Sequence, residues 1–128
     1  MKFLSDEWMK KYEDLLRKEF SKDGKVNAKL VEIYRNCPDG KTRWISYGLK
    51  DGRFEDMRND VGDKVPEATF ILSGKYEDYV KVEKGEINQK TALMNGTFAL
   101  IGNMIKAVSM IGIYDRVTKC KRFDGIEY

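Results

Sequence analysis

The chain has 128 residues, 24 of them basic and 21 acidic, for a net charge of +3; this length predicts one domain that buries a core without a disulfide scaffold. The two charge signs alternate finely through "MKKYEDLLRKEFSKDGK" and "GKYEDYVKVEKGE", a solvated-surface pattern that excludes the one-signed face of a nucleic-acid binder. Histidine is absent from the chain, which removes the Ser-His and Cys-His pairs, the imidazole base and the commonest metal ligand together.

The N-terminus "MKFLSDEW" reaches acidic residues too early for a signal-peptide core, so the expected location is the cytoplasm. Ser5 is placed to cap a helix whose first turn carries Asp6 and Glu7. Trp8, Met9, Tyr12, Leu15, Leu16 and Phe20 recur at helical spacing, predicting an amphipathic helix over 6–20 that "SKDGK" ends. "NAKLVEIYRN" reads either as a helix capped by Asn27 or as a strand in which Val31 and Ile33 alternate with Glu32 and Tyr34. The strand is preferred, because "CPDG" and "TRWISYGL" follow at hairpin spacing. "LKDGRF" predicts a second hairpin through Asp51-Gly52. Phe54 and Met57 have opposite parity, which predicts a bulge or an early end in its second arm.

"ATFILS" places Ala68, Phe70 and Leu72 on one face of a strand. Tyr76, Tyr79 and Val80 then follow at helical spacing as far as Gly85. Asn88 caps a short helix that runs through Met94 and stops at Asn95-Gly96. "TFALIG" is a fifth strand, and Asn103 caps a last helix, "MIKAVSMIG", with Cys120 beyond its end. The pattern is an α+β layer architecture.

No Walker loop, Rossmann fingerprint or calcium loop is present, and Cys37 and Cys120 have neither CxxC nor zinc-ligand spacing. Reduced thiols are expected. No catalytic residue, metal site or cofactor is predicted. The last helix is apolar around most of its circumference and must be covered on more than one side. Its cover is the short helices through Leu93 and Met94, a second copy of the chain, or an apolar ligand; methionines suit a pocket of variable shape.

"WISYGLKDGRF" followed by "EATFILSGKYEDYVKVEKGEINQKTALMNGTFALIGNM" resembles the sterol carrier protein type 2 family, the non-specific lipid-transfer proteins. The most specific part is Gly85, Glu86, Asn88, Ala92, Gly96, then a strand, then Gly102-Asn103-Met104. The resemblance runs over roughly 29–114, with the N-terminal helix in 1–22, and implies one lipid-binding domain over 1–128. It implies a five-stranded, largely antiparallel sheet covered by helices, with a hydrophobic tunnel between them, and makes "KLVEIYR" the first strand. The implied function is non-catalytic binding, and transfer, of a fatty acid, fatty acyl-CoA, sterol-like molecule or phospholipid, by a monomer or a homodimer.

Candidate lining residues are Ile45, Tyr47, Phe70, Leu72, Tyr76, Tyr79, Leu93, Met94, Phe98, Leu100, Met104, Ile105 and Val108. Many members of the family carry proline and then glutamine after the position of Asn88, where Gln89 and Lys90 stand here. Lys90 is therefore the candidate for an anionic headgroup. Lys119, Lys121 and Arg122 are candidates for transient contact with a membrane surface. The alternatives are a homodimerising interaction module, and an accessory domain that presents hydrophobic substrate to a separate enzyme.

Overall fold

The computed structural model describes residues 1–128, except for the side chains of Met104, Ala107 and Val108. In chain order the elements are α1 (Asp6–Glu19), β1 (Ala28–Arg35), β2 (Arg43–Lys50), β3 (Arg53–Val61), β4 (Phe70–Lys75), α2 (Tyr76–Glu83), α3 (Gln89–Met94), β5 (Ala99–Gly102), α4 (Met104–Ser109) and α5 (Ile111–Cys120). The strands form one sheet in the order β3-β2-β1-β4-β5. Its pairings are antiparallel except for β1 with β4.

Local chemistry accounts for most of these boundaries. The Ser5 side chain accepts from the backbone N–H of Trp8, and Asn88 accepts from Thr91, each satisfying an orphan donor of the helix it opens. Asp51 and Gly52 have φ of 50° and 79°, the double left-handed geometry of a type I′ hairpin turn. The expected bulge lies in β3: Tyr47 faces Met57 while Leu49 faces Phe54. One extra residue thus lets Phe54 and Met57, of opposite parity, meet residues on a single face. The strand does not end early and continues to Val61.

The last helix departs from expectation. It breaks at Met110 into α4 and α5, and α5 continues to Cys120, which closes the helix and does not lie beyond it. Ser109 Oγ donates to the Lys106 carbonyl, a local bond that competes with the helical ladder.

One face of the sheet carries Leu30, Glu32, Tyr34, Ile45, Tyr47, Phe70 and Leu72, all buried. The helices cover this face. Helix α1 lies towards β3, where the Phe54 N–H donates to the Phe20 carbonyl at 2.9 Å. Helix α5 is tied to α1 by Arg116 Nε on Glu19 at 2.7 Å. Helix α2 covers the β1–β4 side, its Tyr79 ring centroid 3.9 Å from that of Tyr34. On the opposite face, the 62–69 connection carries the chain from β3 to β4, and Pro66 and Glu67 share a groove there with Lys29, Ser46 and Arg58.

The two edges of the sheet differ. Strand β3 exposes Glu55, Asp56, Arg58 and Asp60, and such charges deter edge pairing. Strand β5 has only Ala-Leu-Ile-Gly.

Gly74 in β4 lies under the Phe98 ring, and a Cβ there would overlap the ring edge. Gly74→Ala is expected to lose about 2–3 kcal/mol of stability by overpacking, measured by urea unfolding. A loss below about 0.5 kcal/mol would show that the Phe98 ring yields freely.

Candidate functional site

The candidate residues separate into two groups. Ile45, Tyr47, Phe70, Leu72, Tyr79 and Phe98 come together beneath the sheet, with exposures between 0 % and 2 %. A side chain lining an open tunnel keeps surface that a water molecule could touch. These six touch other side chains instead, and form packed core. Tyr76, Leu93 and Leu100 are half-buried, while Lys90 is exposed. Met94 is 79 % and Ile105 87 % exposed. The side chains of Met104 and Val108 lie outside the described residues.

The expectation that the last helix is covered on several sides is therefore not met at Ile105. Ile101 and Ile111 are also exposed, at 57 % and 37 %. All of these belong to the segment 93–111, which contains the end of α3, β5, α4 and the start of α5. This exposed apolar segment is the candidate ligand surface, since such surface marks binding or association.

What fills the middle of the helix-covered face was not anticipated. Glu32, on the central strand β1, and Lys121, just after α5, form an ion pair with both side chains buried. Tyr12 donates to Glu32 Oε2 at 2.7 Å and Tyr34 to Oε1 at 2.5 Å. The Lys121 ammonium lies 5.8, 5.7 and 5.3 Å from the ring centroids of Tyr12, Tyr34 and Tyr79, within cation–π range. The one available sequence signal was parity, since Glu32 shares its face with Leu30 and Tyr34. Nothing distinguished Lys121 from Lys119 and Arg122. Lys121 is thus withdrawn from the basic group proposed for membrane contact, because its charge is committed to Glu32.

Burial pushes the Glu32 carboxyl up, but the Lys121 charge and the bonds from Lys121, Tyr34 and Tyr12 outweigh it and hold the carboxyl below its ordinary range. Burial, with the Glu32 charge second, drives the Tyr12 and Tyr34 phenols well above theirs. Glu83, on α2, is also buried, and its Oε2 lacks a hydrogen-bond partner, with Arg122 Nε 3.6 Å away. Burial raises its pKa to about 7, against the opposing charges of Lys121 and Arg122.

Among the described residues, no group of three or more carboxylate or thiol side chains is placed to hold a metal. Cys37 and Cys120 are free and buried, and burial raises the Cys120 thiol to about 11, away from nucleophilic use. Among the described residues, no helix is long and apolar enough to cross a membrane.

Lys121→Met strands the Glu32 carboxylate in the core and is expected to cost about 3–5 kcal/mol in urea unfolding. Glu32→Leu/Lys121→Met should be more stable than that single variant; a single loss below about 1 kcal/mol would mean the pair is solvated. The two carboxyls respond to pH in opposite senses. Glu32, lowered in the fold, stabilises above its ordinary 4.5 and loses that contribution as pH falls. Glu83, raised in the fold, favours the native state most below pH 4.5, and that contribution is lost as pH rises to about 7. Glu83→Gln should therefore raise stability above pH 7 by about 1–3 kcal/mol and change it little below pH 4.5, measured by thermal unfolding across that range.

No protein-family model and no curated protein matches the chain. Solved structures do match it. The crystal structure of sterol carrier protein 2 aligns with a TM-score of 0.75 at 18 % identity, covering 92 % of this chain and 95 % of that one. The sterol carrier protein domain 2 of Helicoverpa armigera aligns with a TM-score of 0.60 at 21 % identity, covering 93 % of each chain. The palmitated sterol carrier protein 2-like 2 of Aedes aegypti aligns with a TM-score of 0.56 at 14 % identity, covering 81 % of this chain and 91 % of that one. With five mixed strands covered by helices, and alignments spanning nearly its whole length, the chain has the sterol carrier protein 2 fold.

Proposed function

We propose that the protein binds a hydrophobic molecule without transforming it, and that the segment 93–111 is where the ligand makes contact. The observation that carries this reading is the exposure of Met94, Ile101 and Ile105 in a chain whose other large apolar side chains are mostly packed. Covering each such side chain contributes about 1.5–3 kcal/mol, and each ligand methylene about 0.8 kcal/mol. A long acyl chain then offsets an association cost of about 4–15 kcal/mol with a modest surplus, which suits reversible carriage. The fold adds support, since one protein that shares it is palmitated. A fatty acid, fatty acyl-CoA, sterol-like molecule or phospholipid all satisfy this chemistry.

The same exposure favours one second reading, self-association through the same surface. Native mass spectrometry of the purified protein, with extraction and identification of bound lipid, separates the two. A stoichiometric lipid adduct is expected, together with one-to-one binding of a fluorescent fatty acid by delipidated protein. Ile105→Glu should weaken that binding tenfold or more, by about 1.4 kcal/mol or more, without loss of thermal stability. A lipid-free dimer that Ile105→Glu converts to monomer would replace carriage with association.

A further inference from the structure

A cleft of about 340 Å³ opens between the α2–α3 turn, the first residues of α3 and the C-terminal half of α5. Its charged lining residues are Lys90, Lys119, Arg122 and Asp115, with Glu83 behind Arg122. Neither Lys90 nor Lys119 takes part in an ion pair or a side-chain hydrogen bond among the described residues. Arg122 donates one N–H to the Val82 carbonyl at 2.8 Å and holds its Nε 3.6 Å from Glu83 Oε2, which fixes the guanidinium at the cleft wall and leaves Lys90 and Lys119 as the cleft's cations without a carboxylate partner among the described residues. Gln89 and the buried Thr118 bond to one another at the base, holding α3 against α5.

Both helices run from this cleft towards the exposed apolar segment. In α3, Lys90 lies in the first turn and Met94 ends the helix, about 6 Å further along the axis at 1.5 Å per residue. In α5, Lys119 lies in the last turn and Ile111 opens the helix, about 12 Å away by the same rise. A cationic end and an apolar end thus lie within one lipid's length of each other on the same two helices. Lys121, the remaining cation of this stretch, is committed to Glu32 and does not contribute.

We infer that the cleft formed by Lys90, Lys119 and Arg122 binds the phosphate group of a phosphate-bearing amphiphile whose chain lies over Leu93, Met94 and Ile111. This inference rests on the proposed hydrophobic carriage and selects a ligand class within it. A phosphate fits because several donors converge on one small cleft and charge-assisted bonds to phosphate oxygens are strong. Asp115 opposes an anion but is outnumbered.

The test is calorimetric titration of delipidated protein with decyl phosphate, 1-decanol and inorganic phosphate, at low and at high salt. Decyl phosphate should bind roughly tenfold more tightly than decanol, as expected for added charge-assisted bonds, with the advantage shrinking in salt. Lys90→Glu/Lys119→Glu should abolish that advantage and leave decanol binding unchanged, whereas Ile105→Glu weakens both amphiphiles. Equal affinities for the two amphiphiles, or an advantage that survives the double substitution, overturn the cleft as a phosphate site. Inorganic phosphate that binds as tightly as decyl phosphate overturns the joining of head and chain and assigns the cleft to free phosphate. If neither amphiphile binds while inorganic phosphate still binds and is lost in the double variant, hydrophobic carriage fails and the cleft stands; if nothing binds, both fail.

Discussion

A carboxylate and an ammonium side by side under the middle of the sheet set the terms for everything packed around them. Desolvating two charges is tolerable only where each is paired and its remaining valences are filled. Here Tyr12 arrives from α1 and Tyr34 from β1 itself to complete Glu32. Lys121 follows α5 directly, so the end of that helix is fixed to the central strand. Tyr79 from α2 closes over the ammonium. Three helices are thus registered on the sheet by one polar centre, and the volume between the layers is occupied by aromatic side chains. Apolar surface left without protein cover lies at the far end, where α3, β5 and α4 succeed one another.

Elements that depend on local chemistry were legible in the sequence. Ser5, Asn88 and Asn103 cap as their side chains predict, and Asp51-Gly52 makes the turn its dipeptide favours. The opposite parity of Phe54 and Met57 announced a bulge before any pairing was known. At residues 27–36 periodicity allowed helix or strand, hairpin spacing favoured the strand, and the family resemblance made it the first strand of the sheet.

What remained illegible depends on tertiary context. Apolar character marked Ile45 and Ile105 equally as lining, yet one is buried and the other is 87 % exposed; hydropathy cannot separate core from contact surface. The alternation of Val31 and Ile33 with Glu32 and Tyr34 set Glu32 opposite the apolar pair, yet Glu32 and Tyr34 are both fully buried; a carboxylate belongs in a core only if a cation reaches it. That cation came from the far end of the chain, inside a basic run that read as solvated. The division of the last helix at Met110 was likewise hidden, because continuous apolarity conceals an interruption of the helix.

The parallel pairing of β1 with β4 has a kinetic consequence. Strands β1, β2 and β3 form a meander closed by short turns, whereas Leu30 meets Phe70 only after the intervening chain has closed. Loop closure delays such non-local pairings, so β4 docks on a meander already formed, and β5 only on β4. The segment that displays Met94 and Ile105, on either side of the outermost and shortest strand, is then the last to be ordered. By the same ranking it is the first to open from the native state. Loosening there leaves the pinned core undisturbed, so the apolar end can open at far less than the free energy of global unfolding.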